Sequence, residues 1–535
     1  MKRFSQTVLA GLAFLALAAC GPAPSPAGPP NTVDSAAPHD SLSRIVDRYW
    51  DENPSFANPL SPQYLADSLA VERRFLAEIL ALPRARLDSE SRLTYDIFRR
   101  QRELNVEGFT YPEELLPANP FAGMPLQLAR LAADSREHPL ETAKDYHHWL
   151  LRIDDYVAWT QQAIANLREG MRRGYTSPRV LMERMLPVLH GLGEDNSANV
   201  FYGLLRAGPD TIKEPDRTRL SESLNLAIRD KLLPAYRKLH DFIQRDYLPR
   251  ARTSVALSAL PLGPSWYAFR VKRATDSPVT PQEIYALGVA EVERIRARLQ
   301  AFPAGVPAAG TGASASDASN PYPEWKDQTL AAMPTLFNDA SPVDLAAAAA
   351  RKAPAGATIA HFLRDEIPGR HYQTLLQQAR PDLPKFRRFG NDSAFVDGWA
   401  LYAESLGEEL GLYRDDEAKK NALLDQLKCA VALVVDTGLH AEGWTRAQAV
   451  DYLRAQLSAG DADAELMAER FVAMPGDAMA CMMGELKIRA LLAQARRMLG
   501  GRFDVREFHS EILKDGAMPL DILEAKMNLW MEAGH

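Results

Sequence analysis

Residues 360–373, AHFLRDEIPGRHYQ, contain the side-chain types of a metal site in an unusual spacing. His361 and Asp365 are four residues apart, so a helix would place both on one face. A Pro-Gly pair must interrupt that helix, and His371 follows shortly after the interruption. We therefore expect two helices separated by a break, with polar side chains near the break facing a cavity.

Two more polar clusters follow along the chain. Asp397 and Glu404 are seven residues apart, two turns on one helical face, and Asp436 and His440 are again four apart. A single Asp–His pair at this spacing is more often a hydrogen-bonded pair or a solvated helix position than a pair of metal ligands. Three such clusters in succession favour a functional site over that simpler explanation.

The elements that must position these residues are helices. Apolar residues recur at three- and four-residue steps through most of the chain, for example at Leu65, Leu69 and Leu76, with Glu72 away from the stripe. Strand signals are few, the best being residues 252–260 and 265–273. The sequence therefore predicts a mainly α fold with at most a small β element.

The N-terminus has the pattern of an export signal. Two basic residues precede an apolar run, Val8–Ala19, which is too short to span a bilayer, and small residues lead directly into Cys20. This order predicts a signal peptide at residues 1–19 and a lipid-modified Cys20 that anchors the protein in a bacterial membrane. An ordinary signal peptide with a chance cysteine is the alternative. Gly21 rather than Asp after the cysteine favours the outer membrane, facing the periplasm.

The rest of the chain divides by composition. Residues 20–39 are rich in Pro, Ala and Ser, and predict a disordered tether behind the lipid. Residues 40–535 form the expected helical domain. Within it, residues 302–321 lack periodicity and predict a flexible loop.

The composition and the absence of common motifs argue against several functional classes, although a serine hydrolase with an unusual signature stays open. The net charge is −7 and no basic patch accumulates, so nucleic acid is not an expected partner. The chain contains no GxSxG, Walker A, GxGxxG, CxxC or HExxH motif. Cys429 and Cys481 lie in apolar helical surroundings; a disulfide between them is the alternative, but we expect two separate buried thiols.

Five long blocks carry a family resemblance: residues 248–295, EIPGRHYQ, GWALYAESLGEELGLY, LVVDTGLHAEGWTRAQAVDYL and residues 484–524. Through them the chain, from about residue 40 to its end, resembles the bacterial domain of unknown function 885 family. These are exported, mainly helical proteins similar to zinc metallopeptidases of the gluzincin type. The resemblance implies a large helical metallopeptidase-like domain, with zinc held by His and Glu side chains and a Glu as general base.

The family pattern is His-Glu-x-x-Pro-Gly-His-His, followed by Glu-Gly-Trp-Ala-Leu-Tyr-Ala-Glu. Aligned on Pro-Gly, this chain has Arg364 for the first His, Asp365 for the Glu and Arg370 for the next His. Only His371 keeps its type. In the second block the leading Glu is Asp397, and the final Glu is retained.

These substitutions oppose zinc binding. An arginine keeps its proton in a protein, so Arg364 and Arg370 bring fixed positive charges to the positions of two zinc ligands. Zinc, the cofactor that the resemblance implies, is therefore not the expected cofactor of this chain. The same guanidinium groups suit a carboxylate ligand.

The sequence yields three groups of candidate site residues. The candidate catalytic residues are Asp365 and Glu366. The candidate metal ligands of a rearranged site are His361, Asp365, His371 and Asp397. The candidate ligand-binding residues are Arg364, Arg370, Asp436 and His440.

From these observations we expect a membrane-anchored envelope protein, attached through lipidated Cys20, that has lost zinc-dependent peptide hydrolysis. Its former cleft would bind a peptide-like or anionic ligand. One alternative is an active metal-dependent peptidase or hydrolase with a rearranged metal site. A purely structural role in the envelope is the other.

Overall fold

The computed structural model describes residues 38–52, 58–134, 140–205, 212–303, 306, 321–338 and 357–534. The predicted signal peptide, Cys20, most of the tether and most of the loop at 302–321 lie outside the described residues.

The described residues are mainly helical, which confirms the predicted fold class. Their helices, in chain order, are α1 (Pro38–Asp51), α2 (Pro62–Leu80), α3 (Ser89–Gly108), α4 (Met124–Asp134), α5 (Ala143–Arg173), α6 (Arg179–Gly193), α7 (Asp216–Ala227), α8 (Leu233–Phe242), α9 (Gly263–Thr275), α10 (Pro281–Gln300), α11 (Tyr322–Ala332), α12 (Ile359–Asp365), α13 (Arg370–Gln378), α14 (Lys385–Arg388), α15 (Ser393–Ser405), α16 (Asp416–His440), α17 (Arg446–Leu457), α18 (Asp461–Ala473), α19 (Ala480–Leu499), α20 (Val505–Leu513) and α21 (Leu520–Ala533). Two π-helical turns, Ile228–Leu232 and Ile243–Tyr247, flank α8. None of the described helices has the length and apolarity needed to cross a membrane.

The structure contradicts both predicted strands. Within the described ranges there is no strand, and β pairing is limited to an isolated bridge between Pro178 and Arg252. Residues 265–273 lie inside α9, which begins at Gly263 with Pro264 in its first turn. The aromatic and β-branched residues that indicated a strand are instead the buried side of this helix, where such side chains also pack well.

The described residues divide into two compact units, and the smaller comprises those from Pro38 to Val106 with Pro384–Phe386. Its helix α2 buries Glu72, which the apolar stripe placed away from the core. The Glu72 carboxylate accepts hydrogen bonds from Tyr49 and Asn105, and Arg102 Nε lies 2.9 Å from Oε2. A charged side chain is buried here because these partners replace water.

The larger unit comprises Glu107–Leu383 with Arg387–His535 and contains the candidate site residues. Its helices α15 and α19 pack closely because glycines face each other: a Cβ at Gly398 would lie 2.3 Å from the Cα of Gly484. Any side chain at either position would push the helices apart. This contact holds α15, which carries two candidate site residues, against the core.

A disulfide joins two helices of the larger unit. Cys429 of α16 and Cys481 of α19 are bonded, so the expectation of two separate thiols was wrong. The cross-link connects the helix of the third polar cluster to the helix that supports the second.

Candidate functional site

The predicted break in the helix is present. The first helix, α12, ends at Asp365, and α13 begins at Arg370, directly after the Pro-Gly pair. Only glycine fits at position 369, because a Cβ there would lie 2.0 Å from the carbonyl oxygen of Arg364. The indole of Trp399 donates a hydrogen bond of 2.9 Å to the Pro368 carbonyl oxygen, which ties the break to α15.

Arg364 lies on the inner side of the break, among carboxylates. Its Nη1 atom is 3.5 Å from Oε2 of Glu404, and its Nη2 atom is 3.8 Å from Sγ of Cys429. Glu404 is 1% exposed and its carboxylate accepts no hydrogen bond from the described residues. Burial raises the pKa of Glu404 well above its usual value, although the nearby guanidinium opposes that shift.

Burial would by itself lower the pKa of the Arg364 guanidinium. Four carboxylates, those of Glu404, Asp425, Asp365 and Asp397, together raise that pKa by more, so its net shift is upward. The positive charge of Arg364 is therefore a permanent feature of the site.

Arg370 lies at the outer edge of the break, between two acidic side chains. Its Nη2 atom is 2.5 Å from Oδ1 of Asp397, and its Nη1 atom is 3.6 Å from Oδ1 of Asp365. About half of the Asp365 side chain is exposed, as is about a third of the other two. We call these three residues, Asp365, Arg370 and Asp397, the rim.

His361 contacts an aspartate that the sequence reasoning did not identify. Its Nε2 atom is 3.1 Å from Oδ2 of Asp425, whose Oδ1 accepts a 2.7 Å hydrogen bond from Lys428. Burial would raise the pKa of Asp425, but the hydrogen bonds from His361 and Lys428 lower it to about 2. The available signal was a carboxylate in the apolar part of a long helix, the same helix that buries Asp436.

Glu485 is a second buried carboxylate that the sequence reasoning missed. It lies on α19 and is fully buried, and its Oε1 accepts hydrogen bonds from Gln426 and Arg489. Its charge helps to raise the pKa of Glu404.

The remaining candidates near the break are His371 and Glu366. Both are buried, with exposures of 7% and 4%. Over the ranges that the structure describes, no three His, Cys, Asp or Glu side chains are grouped as metal ligands would be. The structure therefore brings together two acidic residues around Arg370, but does not assemble the four candidate metal ligands.

Asp436 and His440 lie in a separate, fully buried network. Tyr267 donates a 2.7 Å hydrogen bond to Asp436, and the Gly476 N–H lies 3.0 Å from both of its carboxylate oxygens. His440 Nδ1 accepts from the Leu257 N–H, and its Nε2 is 3.1 Å from the Phe471 carbonyl oxygen.

Burial governs the protonation of this second pair. It raises the pKa of Asp436 to about 7, against the hydrogen bonds from Tyr267 and Gly476. It also lowers the pKa of His440 to about 4. Both polar groups are occupied by the protein itself, as expected of a structural network.

Comparison with known proteins identifies the family. The family model described as "Bacterial protein of unknown function (DUF885)" matches residues 51–353 and 346–527. No curated protein matches the chain.

Two solved structures share this fold, and both are described as putative lipoproteins. The protein from Colwellia psychrerythraea has a TM-score of 0.75 at 20% identity, and the match covers 93% of this chain and 100% of that one. The protein from Shewanella oneidensis, described as of unknown function, has a TM-score of 0.65 at 14% identity, with 92% and 100% covered. At these identities the likeness concerns the fold alone. Because the family model covers most of the sequence, this chain belongs to the bacterial protein family of unknown function DUF885.

Proposed function

We propose that this protein is a lipid-anchored component of the bacterial envelope that does not perform zinc-dependent peptide hydrolysis. In its place, the rim binds a peptide-like ligand through that ligand's charged groups. The observation that carries the proposal is the position of two guanidinium groups among carboxylates at the helix break, where the family resemblance implies zinc-binding histidines.

The membrane anchor is supported by the N-terminal sequence. Cys20 follows an apolar run and small residues, and the Colwellia and Shewanella proteins are both described as putative lipoproteins. Gly21 favours retention in the outer membrane. The change Cys20→Ala should release the protein from the membrane fraction of cells, and persistence there would contradict the anchor.

The residues at the break do not fit a zinc ion. Arg364 carries a permanent positive charge 3.5 Å from Glu404, the carboxylate that corresponds to a family Glu. A dication next to this guanidinium would experience strong repulsion in a buried site. His361 and Asp397, two of the candidate ligands, contact Asp425 and Arg370 instead.

The rim has groups for both ends of a peptide-like ligand. The Arg370 Nη1 atom is 3.6 Å from Asp365, which is longer than a hydrogen bond, so this donor is available to a ligand carboxylate. Asp365 and Asp397 can in turn receive an ammonium group. A zwitterionic ligand therefore matches the rim better than a simple anion, which Asp365 and Asp397 would repel.

The alternative of an active hydrolase with a rearranged metal site has less support. It requires two or three of the four candidate ligands to converge. The described part of the chain contains no group of three, and Asp365 and Asp397 lie on either side of the Arg370 guanidinium. We therefore do not propose it. Asp436 and His440 are also not part of the proposed ligand site, because their polar atoms already form hydrogen bonds with backbone groups and Tyr267.

Metal analysis tests the loss of zinc chemistry. The protein lacking residues 1–20 is dialysed against trace zinc, manganese and nickel, and its metal content is measured. We expect less than stoichiometric metal, equal in His371→Ala and in His147→Ala, a control on an exposed histidine of α5. One metal ion per chain that is lost in His371→Ala but kept in His147→Ala would overturn the proposal.

A ligand titration tests the rim. Trialanine, with free termini, should bind in isothermal titration calorimetry more tightly than its N-acetylated, C-amidated form. The change Arg370→Gln should weaken binding about tenfold, the effect of one charge-assisted hydrogen bond. Arg506→Gln is the matched control, because Arg506 is an exposed arginine paired with Asp504 outside the rim. Equal binding of both peptides, or no effect of Arg370→Gln, would contradict the proposal.

A further inference from the structure

A groove on the larger unit contains none of the residues discussed above. It lies between α5 and the segment formed by α8 and the π-helical turn Ile243–Tyr247. One part has a volume of about 450 Å³ and the adjoining part about 520 Å³. Arg168, Phe242 and Asp246 line both parts, which are therefore one continuous groove. We call it the α5/α8 groove.

The α5/α8 groove has a positive charge although the chain as a whole is negative. Two acidic residues, Asp241 and Asp246, line it, and the net charge of the chain is −7. Its basic lining residues are Arg168, Arg172, Lys238, Arg245 and Arg250. Such a local reversal of charge attracts an anion to one place on the surface.

Three of these basic side chains have no ion-pair partner among the described residues. Arg172 is paired with Glu169, and Arg245 Nη2 lies 3.3 Å from Asp241. The three are Arg168, Lys238 and Arg250; all are exposed, and Arg250 has the Met171 sulfur 4.0 Å from its Nη1. Arg168 and Lys238 come from opposite walls of the groove, Arg168 from α5 and Lys238 from α8.

The floor of the groove is apolar. Phe242 and Ile164 are about 5% exposed, and the Arg168 guanidinium carbon lies 5.1 Å from the centre of the Phe242 ring. The π-helical turn that follows Phe242 carries Arg245 and Asp246 of the wall. Such turns occur often at functional sites, since each costs helical hydrogen-bond geometry. The volume is in the range of small-molecule sites.

We propose that the α5/α8 groove binds an amphiphile with a phosphate ester head. Arg168 and Lys238 contact the phosphate oxygens from the two walls, and the apolar part of the ligand lies on Phe242 and Ile164. A phosphate suits this arrangement because its several oxygens can accept from both cations at once. The proposal does not depend on the function proposed for the rim.

Calorimetric titration tests this assignment in the mature chain, from residue 20 onward, carrying Cys20→Ser to remove the lipid. The probes are dihexanoylphosphatidylglycerol below its micelle concentration, its zwitterionic phosphatidylcholine counterpart, and inorganic phosphate. We expect one phosphatidylglycerol per chain, with weaker binding of the other two. Arg168→Gln and Lys238→Gln should each weaken it about tenfold.

Arg219→Gln is the control, because Arg219 is an exposed arginine of α7 that does not line the groove. It should leave affinity unchanged, and the thermal unfolding of all three variants should match that of the parent chain. Unchanged affinity in Arg168→Gln and Lys238→Gln would overturn the proposal, as would the absence of phosphatidylglycerol binding. Equal binding of the two lipids would contradict the selection of a negatively charged head group by Arg168 and Lys238. Inorganic phosphate binding as tightly as the lipid would overturn the amphiphile in favour of free phosphate.

Discussion

His361 and Asp365 near the helix break, and Asp436 and His440 in α16, have the same four-residue spacing but opposite surroundings. The side chains of the first two are 39% and 51% exposed, whereas the second two are fully buried. His361 contacts Asp425 from another helix rather than the partner four residues away. Asp436 and His440 likewise form hydrogen bonds with other parts of the chain, with Tyr267 and with the Leu257 N–H respectively. Spacing placed each pair on one helical face, but the neighbouring helices determined what each side chain contacts.

The two regions also differ in how charge is handled. The rim of the break keeps partly exposed charges and pairs them, as in Arg370 with Asp397, whereas at the inner side burial opposes the charge of Glu404 and Arg364 stays positive. The buried pair instead has shifted pKa values that favour the neutral forms of Asp436 and His440 around pH 5 to 6. A region that retains exposed charges can exchange a partner for a ligand, whereas the neutral buried pair holds the fold together.

The largest expected effect concerns the contact between Arg364 and Glu404 at the inner side of the break. Glu404→Leu should lower the free energy of unfolding by about 3 kcal/mol, because Arg364 cannot lose its proton and stays charged in a largely buried place. Arg364→Met should cost less, since Glu404 can take up a proton instead. Urea unfolding at pH 7 measures both. The double variant should recover at least half of the loss; equal costs of the two single changes would contradict this asymmetry.

The next-largest expected effect is the difference in stability between variants of Asp436 and Asp365. Asp436→Ala should destabilise the fold by about 2 kcal/mol, because it leaves the buried Tyr267 hydroxyl and Gly476 N–H without an acceptor. Asp365→Ala should change stability by less than about 0.5 kcal/mol, as its side chain is half exposed and its ion pair is long. Thermal unfolding of both variants checks the contrast. Similar losses of stability in the two variants would show that burial does not explain the difference between these regions.

The pH dependence of stability separates the buried Asp from the buried His. With the pKa of Asp436 raised to about 7, its contribution is full below its unfolded pKa of about 4 and is lost as the pH rises toward 7. With the pKa of His440 lowered to about 4, its contribution is full above its unfolded pKa of about 6.5 and is lost as the pH falls toward 4. Between about pH 4.5 and 6, Asp436 makes the free energy of unfolding fall with pH and His440 makes it rise by the same amount, so the two contributions cancel.

Single substitutions should remove that cancellation. Asp436→Asn should make the stability rise more steeply with pH, by about 1.4 kcal/mol per unit, and His440→Gln should make it less steep by the same amount. Urea unfolding at pH 4.5, 5.25 and 6 gives the slopes. His509, whose pKa burial also lowers to about 4, contributes equally to all variants and cancels in the differences. Parallel slopes in parent and variants would contradict the assigned pKa directions.

Local features of the fold were predictable from the sequence. The break after α12 was predicted because Pro and Gly act within one turn, and the helix periodicity was predicted because the stripe repeats locally. Contacts between side chains on different helices were not predictable. Asp425 meets His361 from 64 residues away in sequence, and the disulfided cysteines are separated by 52. Residues 265–273 show that aromatic content alone does not distinguish a strand from a buried helix.

The smallest expected effect concerns His361 and Asp425. His361→Gln should raise the pKa of Asp425 from about 2 toward its ordinary value, because the hydrogen bond from His361 is the contact that lowers this pKa most. The loss of stability should stay below about 1 kcal/mol, since His361 is more than a third exposed and Lys428 remains. NMR titration of the Asp425 carboxyl carbon measures the pKa, and Lys428→Gln tests the second donor separately. A loss above about 2 kcal/mol in His361→Gln would mean that this exposed histidine stabilises the break as strongly as a buried group does, and the distinction between the two regions would no longer hold.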